Sequence, residues 1–215
     1  MYSDNYWISI FEAIPTWVML LPIFICSIIG TAAIIERILF YNRINTDYAM
    51  HINNVAKEYS NNIQQALLQC KKVPGPISEL IYNTIAFPVS MKERERVITE
   101  NVYLAQKIIE KHVGIIATIA TISPMFGLLG TVTGMMKSFS ALSRVGNVAQ
   151  DLLAYGIAEA LITTALGLLV AIPAWIFYNY LVSRVERYAK DLEYVANALL
   201  DFPVYTIEPQ KRNKD

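Results

Sequence analysis

Five hydroxyl side chains lie in residues 113–136, a stretch of 24 residues without a charge: Thr118, Thr121, Ser123, Thr131 and Thr133. On a helix in apolar surroundings, a hydroxyl can donate to a backbone carbonyl of the preceding turn, which is a purely local arrangement. A hydroxyl that faces a water-filled passage can instead solvate or relay a proton, because it both donates and accepts. The residues alone leave both alternatives open.

Glu159 is the one acidic residue in another apolar stretch, 152–183. A carboxylate is costly inside a membrane, and such residues face a helix bundle or a cavity. The alternative is simple solvation, because only about 10 Å of helix separates Glu159 from the start of the stretch. At about 100° per residue, Thr163 shares the face of Glu159, whereas Thr164 points about 140° away. The stretch can therefore present one polar strip to a neighbouring helix and another to a lumen.

Three glycines, Gly127, Gly130 and Gly134, are spaced three and four residues apart and so share one face of a helix. Small residues at this spacing let helix backbones approach closely inside a membrane. Pro124 removes one backbone hydrogen bond and is expected to bend the same helix. We therefore assign these four residues to close helix packing, with Thr131 at the edge of the packed face.

These residues must be positioned by helices that cross a membrane. The chain is 54% hydrophobic with a mean hydropathy of +0.36, and its apolar residues are concentrated in runs at 17–35, 113–136 and 152–183. Uncharged runs of about 18 residues or more are typical of transmembrane helices. The sequence therefore predicts an all-α membrane protein with three transmembrane helices. Because no Lys or Arg precedes the first run, we expect an anchor rather than a cleaved signal peptide.

The basic residues predict the orientation, since 16 of the 18 Lys and Arg lie at 37, between 43 and 111, or from 184 onward. The positive-inside rule then places the N-terminus outside and the C-terminus in the cytoplasm. The predicted segments are an outer interfacial segment 1–16, transmembrane helix 17–40, cytoplasmic helical region 41–112, transmembrane helix 113–142, periplasmic hairpin 143–151, transmembrane helix 152–183, cytoplasmic helical extension 184–203 and disordered tail 204–215.

The cytoplasmic segments have helical patterns of their own. Thr46 is the predicted cap of a helix that ends near Pro74, and Ser90 with Glu93 forms a capping box. No proline occurs between Ser90 and Pro124, so we expect one uninterrupted helix over about 91–142. Apolar spacing after residue 184 predicts that the third transmembrane helix continues into the cytoplasm. These parts are expected to be helical extensions rather than a separate enzyme domain.

Nothing in the sequence favours an enzyme. No catalytic Ser/His/Asp set and no phosphate-binding loop is found. His51 and His112 are too few and too far apart for a metal site, and Cys26 and Cys70 are not expected to form a disulfide. We expect no cofactor, no metal and no nucleic-acid partner.

Two long motifs resemble a known family. The sequences "SPMFGLLGTVTGMMKSF" and "GIAEALITTALGLLVAIPAWIFYNY" are similar to the patterns "APxxGLxGTVxG" and "GIAEALxxTAxGLxxAIPAxxxYN" of the ExbB/TolQ/MotA proton-channel proteins. The similarity covers about residues 112–182 and is closest to the ExbB/TolQ branch, because MotA stators have four spans. Departures from the patterns include Ser123, Thr133, Thr163 and Lys137.

The resemblance implies a subunit of a proton-driven motor in the bacterial inner membrane. It implies a pentamer around two single-span helices of an ExbD/TolR-like partner, each carrying an essential Asp, with a TonB/TolA-like protein as a further candidate partner. Such a complex couples the proton-motive force to work at the outer membrane, in import or envelope maintenance. The pore threonines of the family fall on Thr131 and Thr164 and its acid on Glu159, with Thr118, Thr121 and Thr163 as secondary polar candidates. The glycines are then expected to pack around the partner helices. The alternative is a membrane scaffold without ion conduction.

Overall fold

The computed structural model describes residues 15–86, 90–145 and 150–202, and in these residues it contains helices and no strand. The helices are α1 (Thr16–Arg43), α2 (Tyr48–Asn61), α3 (Ile63–Cys70), α4 (Pro76–Ala86), α5 (Met91–Glu110), α6 (Val113–Val145) and α7 (Gln150–Leu200). Three stretches are long and apolar enough to cross a membrane, and they lie within Trp17–Arg43, Met91–Ser140 and Leu153–Leu200. The prediction of an all-helical chain with three apolar spans is confirmed for the described residues.

The chain divides into two compact units. Unit 1 consists of residues 1–37 and 112–181, and unit 2 of residues 38–111 and 182–215. Unit 1 contains the apolar stretches and the hydroxyl residues within them. Unit 2 contains the short helices and the C-terminal part of α7.

In unit 1, α1 packs against α6 at Gly30, where an added Cβ would be 3.4 Å from the side chain of Ile119. Large apolar side chains of the same helices remain exposed, among them Phe24, Leu128 and Leu169. At the end of this α1 segment, the buried Arg37 donates to the neighbouring Glu36 carboxylate, which also lies 3.1 Å from Nδ1 of His112. The apolar surface suits a lipid environment, and the charges lie at its boundary.

Unit 2 has an aromatic core of its own. The rings of Tyr41 and Tyr188 stack at a centroid distance of 5.6 Å, and Tyr48 meets Tyr188 edge-on. Their hydroxyls donate to buried carbonyls, Tyr41 to Ile109 at 2.8 Å and Tyr188 to Tyr41 at 3.1 Å. Buried phenols need such partners, so these bonds fix the register of three segments distant in sequence. The segments predicted as helical extensions are helical in the structure, and they pack together into a compact unit.

The C-terminal part of α7 buries the apolar positions that its spacing predicts, namely Tyr188, Leu192, Val195 and Leu199. Its end is held by the buried Arg94, which donates to the backbone carbonyl of Phe202. A cation at a helix C-terminus also interacts favourably with the helix dipole.

The prediction of one helix over 91–142 is wrong. Helix α5 ends at Glu110, its C-cap residue Lys111 has a non-helical ψ of 138°, and His112 has a left-handed backbone with φ 64°. A non-glycine residue in this region interrupts the ladder of helical hydrogen bonds and is conformationally costly. The sequence carries no proline or glycine at the break, so periodicity could not reveal it.

Two further local predictions are corrected. Asp47, not Thr46, caps α2, because its carboxylate accepts from the Met50 amide at 3.0 Å. The helix expected to reach Pro74 is divided at Asn62, whose extended backbone ends α2 and whose side chain caps α3. By contrast, the capping box of Ser90 and Glu93 is confirmed.

Some predicted segments lie partly or wholly outside the residues that the structure describes. The interfacial segment 1–16 is described only from residue 15, and the tail 204–215 not at all. In the predicted hairpin 143–151, α6 continues to Val145 and α7 begins at Gln150, with 146–149 outside the described residues.

We predict that acidification destabilises unit 2 through His51. This side chain is 5% exposed, its Nε2 has no hydrogen-bond partner among the described residues, and burial lowers the pKa of its imidazole. Below the unfolded pKa of about 6.5, the unfolded chain binds a proton that the folded unit excludes, so stability falls by up to about 1.4 kcal/mol per pH unit. Above that pH both states are neutral and the effect vanishes. Thermal unfolding in detergent between pH 7.5 and 5.5 measures this slope.

The matched variant is His51→Phe, which fills a similar volume without a titrating group. It should retain stability at pH 7.5 and lose this part of the acid dependence. An equal pH slope in the variant and the wild type would show that His51 is not its source.

Candidate functional site

Helices α6 and α7 approach each other through small residues. A Cβ added at Gly127 would be 3.0 Å from the Cα of Thr164, and one at Gly134 would be 2.8 Å from the Cβ of Ala160. At Gly130 the corresponding space is filled by the side chain of Thr163. Each of these three glycines thus accommodates a residue of α7 in the same chain.

The reverse contacts complete an antiparallel pairing, since Ser138 fills the space at Gly156, and the Ser123 carbonyl lies 2.7 Å from a Cβ built at Gly167. We call the set the α6–α7 seam; it pairs 123 with 167, 127 with 164, 130 with 163, 134 with 160 and 138 with 156. The sequence-based interpretation assigned the glycines to packing around partner helices. In the structure their faces are occupied by the chain's own α7.

Two adjacent hydroxyls of α7 converge on one carbonyl of α6. Thr164 Oγ1 donates to the Gly127 carbonyl at 3.0 Å. Thr163 Oγ1 donates to the Ala160 carbonyl of its own helix at 2.7 Å and lies 3.4 Å from the same Gly127 oxygen. Because glycine has no side chain to shield its carbonyl, a facing helix can reach this atom.

Thr131 belongs to the same turn of α6, because its amide is the helical partner of the Gly127 carbonyl. Its own hydroxyl donates to the Leu128 carbonyl at 2.7 Å, and its side chain is half-buried. Thr164 is half-buried as well. The structure therefore brings Thr131 and Thr164 together at one edge of the α6–α7 seam.

The other hydroxyls of α6 have local partners. Thr118 and Thr121 donate to the carbonyls of Gly114 and Ala117, at 2.9 and 3.0 Å. Thr133 is buried and donates within its own helix, to carbonyls one turn earlier. Within a single chain, these three hydroxyls therefore have the purely local arrangement, in which a hydroxyl donates to a carbonyl of its own helix.

Ser123 differs from the other hydroxyl residues. It is fully buried, and its Oγ has no hydrogen-bond partner among the described residues. It precedes Pro124, which lies inside α6 without ending it. An unpartnered hydroxyl in this position is costly unless water or a conformational change satisfies it.

Glu159 lies at the opposite edge of the seam from Thr164. It directly precedes Ala160, which packs on Gly134, and is itself half-exposed. No hydrogen bond or ion pair joins its carboxylate to another part of the chain that the structure describes. The structure thus does not bring Glu159 together with the threonine pair.

Sequence reasoning missed the polar acceptor of the site, the Gly127 carbonyl, and Ser138, and it did not place Ser123 against α7. Ser138 is buried and donates to the Gly134 carbonyl at 3.0 Å. An antiparallel alignment of the glycines of α6 with the threonines of α7 could have suggested these contacts, because glycine exposes the carbonyl that a facing hydroxyl can reach.

Residues 60–194 match the model of the MotA/TolQ/ExbB proton channel family. The chain belongs to this family. The matched residues include the whole α6–α7 seam, so the site lies within the part that the family shares.

Individual relatives agree with this membership. The biopolymer transport protein ExbB-like 3 of Synechocystis is 30% identical over 174 residues, which are 79% of this chain and 83% of that protein. TolQ of Haemophilus influenzae is 48% identical over 83 residues, 39% of this chain and 36% of TolQ. ExbB of Salmonella typhimurium is 44% identical over 87 residues, 40% of this chain and 36% of ExbB.

The resemblance to the ExbB/TolQ branch is confirmed by these relatives. Together with the three apolar helices, family membership identifies a multi-pass membrane protein of a proton-channel family. The aligned residues cover about a third of TolQ and of ExbB, 36% of the length of each protein.

We predict that Gly130→Ala weakens the α6–α7 seam. The added methyl overlaps the Thr163 side chain, and overpacking of a close contact costs about 1–3 kcal/mol. The melting temperature of the detergent-purified protein should fall. The control is Gly114→Ala in the same helix, where a Cβ meets nothing within 4 Å and helix propensity favours alanine. Equal melting temperatures of the two variants would contradict the packing role of Gly130.

Proposed function

We propose that this chain is the channel subunit of a proton-driven motor in the bacterial inner membrane. With an ExbD/TolR-like partner it couples the proton-motive force to work at the outer membrane, in import or envelope maintenance. It acts without covalent chemistry of its own. The observation that carries the proposal is that Thr164 of α7 donates to the Gly127 carbonyl, on the turn of α6 to which Thr131 belongs, so that the two threonines lie at one edge of the α6–α7 seam.

The need for a partner follows from the chemistry of the site. Residues 113–136 contain no acid, and Glu159 is the one acid of 152–183. Threonine hydroxyls can solvate a proton but do not hold one at neutral pH, so a carboxylate must be supplied. We infer that it is an Asp on a single-span helix of the partner, as the resemblance implies. That helix would lie beside the exposed edge of the seam.

A pentamer is part of the proposal. The glycine faces of α6 and α7 are used within one chain, so contacts between subunits would rest on the other surfaces of these helices. Many large apolar side chains remain exposed there, including Leu161, Ile172 and Trp175. The N-terminus is proposed to be periplasmic and the C-terminus cytoplasmic, from the distribution of basic residues. A TonB/TolA-like protein is a further candidate partner.

A membrane scaffold without ion conduction is the second candidate. It is favoured by the local hydrogen bonds of Thr118, Thr121 and Thr131, since such bonds need no aqueous passage. Proton uptake into proteoliposomes distinguishes the channel from the scaffold. The purified chain with its single-span partner should take up protons when a potassium diffusion potential is imposed, whereas a scaffold leaves the vesicles as tight as empty ones.

We predict that Thr131→Val and Thr164→Val each lower partner-dependent proton flux by about ten-fold or more, and that the double variant abolishes it. Valine conserves volume and deletes the hydroxyl, so assembly should persist. Flux is measured in the same proteoliposomes, and assembly by native mass spectrometry of the purified complex.

The control is Thr133→Val, in which the lost hydroxyl is buried and bonds within α6 alone. It should conduct as the wild type does. Wild-type flux in the double Thr131/Thr164 variant would refute the pore assignment.

We predict that Glu159 acts mainly in contacts between subunits. Glu159→Gln keeps shape and hydrogen bonding, so it should remain assembled and active. Glu159→Ala should lower the stability of the oligomer by about 1–3 kcal/mol, because a buried polar partner is left unsatisfied. Oligomer dissociation on heating and proton flux are measured for both variants. An inactive but assembled Gln variant would indicate a role in proton passage, and a stable, active Ala variant would show simple solvation.

A further inference from the structure

Three donor groups approach the Gly127 carbonyl, which has two lone pairs. Within α6 it accepts the Thr131 amide, and across the seam it accepts Thr164 Oγ1 at 3.0 Å. Thr163 Oγ1 stands 3.4 Å from the same oxygen while its stronger bond, at 2.7 Å, goes to the Ala160 carbonyl. A carbonyl has two lone pairs, so the hydroxyls of Thr163 and Thr164 compete for one of them.

This convergence depends on the two facing glycines. Adjacent residues of a helix point about 100° apart, so neighbouring hydroxyls ordinarily meet different partners. Here Thr163 inserts its side chain into the space at Gly130, and the backbone at Thr164 rests against Gly127. Both hydroxyls reach one oxygen because neither α6 position has a side chain to separate them.

The two hydroxyls differ in their surroundings. Thr163 is 1% exposed, whereas Thr164 is half-buried at the edge of the seam. Only Thr164 can therefore turn toward a proton or a partner carboxylate outside the seam. When it turns, the buried Gly127 carbonyl keeps the Thr131 amide but loses its second donor, and the loss of this hydrogen bond opposes the movement.

We propose that Thr163 is a positioning residue that takes over the Gly127 carbonyl when the Thr164 hydroxyl leaves it. The exchange needs only a rotation of hydroxyl hydrogens and small side-chain shifts. No covalent bond changes, and each hydroxyl keeps its own proton. Thr163 thereby lowers the free-energy cost of breaking the bond between the Thr164 hydroxyl and the Gly127 carbonyl. It therefore raises the rate at which the Thr164 hydroxyl can take part in proton passage. The inference rests on the proposed function.

The test compares Thr163→Val with Thr163→Ser in proteoliposomes that contain the partner. Valine keeps the branched shape that fills the space at Gly130 but cannot bond the carbonyl, whereas serine keeps the hydroxyl. We expect the Val variant to conduct about ten-fold more slowly at an unchanged melting temperature, and the Ser variant to retain most of the wild-type flux. Thr133→Val is the matched control, because its hydroxyl has no bond across the seam.

The outcomes are distinct. A Val variant with wild-type flux overturns the exchange, and so does a Ser variant as slow as the Val variant, because packing would then explain the loss. A slow Thr133→Val control would also overturn it, since any buried hydroxyl would then matter. A wild-type complex that does not conduct overturns the proposed function and this inference with it.

Discussion

The close approach of α6 and α7 is the constraint on which the site depends. Lipid offers no hydrogen bonds, so each hydroxyl in these helices must find a partner in the protein or in an enclosed aqueous space. Glycines at 127, 130 and 134 let α7 come near enough for its threonines to reach backbone carbonyls. The same contact thus sets the separation of the helices and supplies the polar partners.

The hydroxyl side chains of the seam differ in their exposure. Thr163 and Ser138 are buried, and Thr131 and Thr164 lie half-exposed at one edge. Of these two, Thr164 bonds a carbonyl that has another hydroxyl nearby, since Thr163 Oγ1 lies 3.4 Å from the Gly127 oxygen. Glu159, at the other edge, is available to a different neighbour. The arrangement supports separate polar contacts on the two sides of α7.

Unit 2 is stabilised by other interactions than those of the α6–α7 seam. Its core combines stacked tyrosines with buried apolar side chains, and its phenols donate to carbonyls of distant segments. It also contains the buried His51, whose imidazole pKa is lowered because burial disfavours the protonated form. The helices of unit 1 expose large apolar side chains, whereas the core of unit 2 contains a buried titratable imidazole.

The sequence by itself determined the three apolar helices, the glycine face, the threonine candidates and the family, because composition, spacing and motif carry these features directly. It could not determine what lies against a face, since periodicity identifies a surface but not its partner. Only the tertiary structure decided that α7 occupies the glycine face and that Thr164 meets the Gly127 carbonyl. The break at His112 was equally hidden, because its left-handed backbone occurs at a residue type that does not require it.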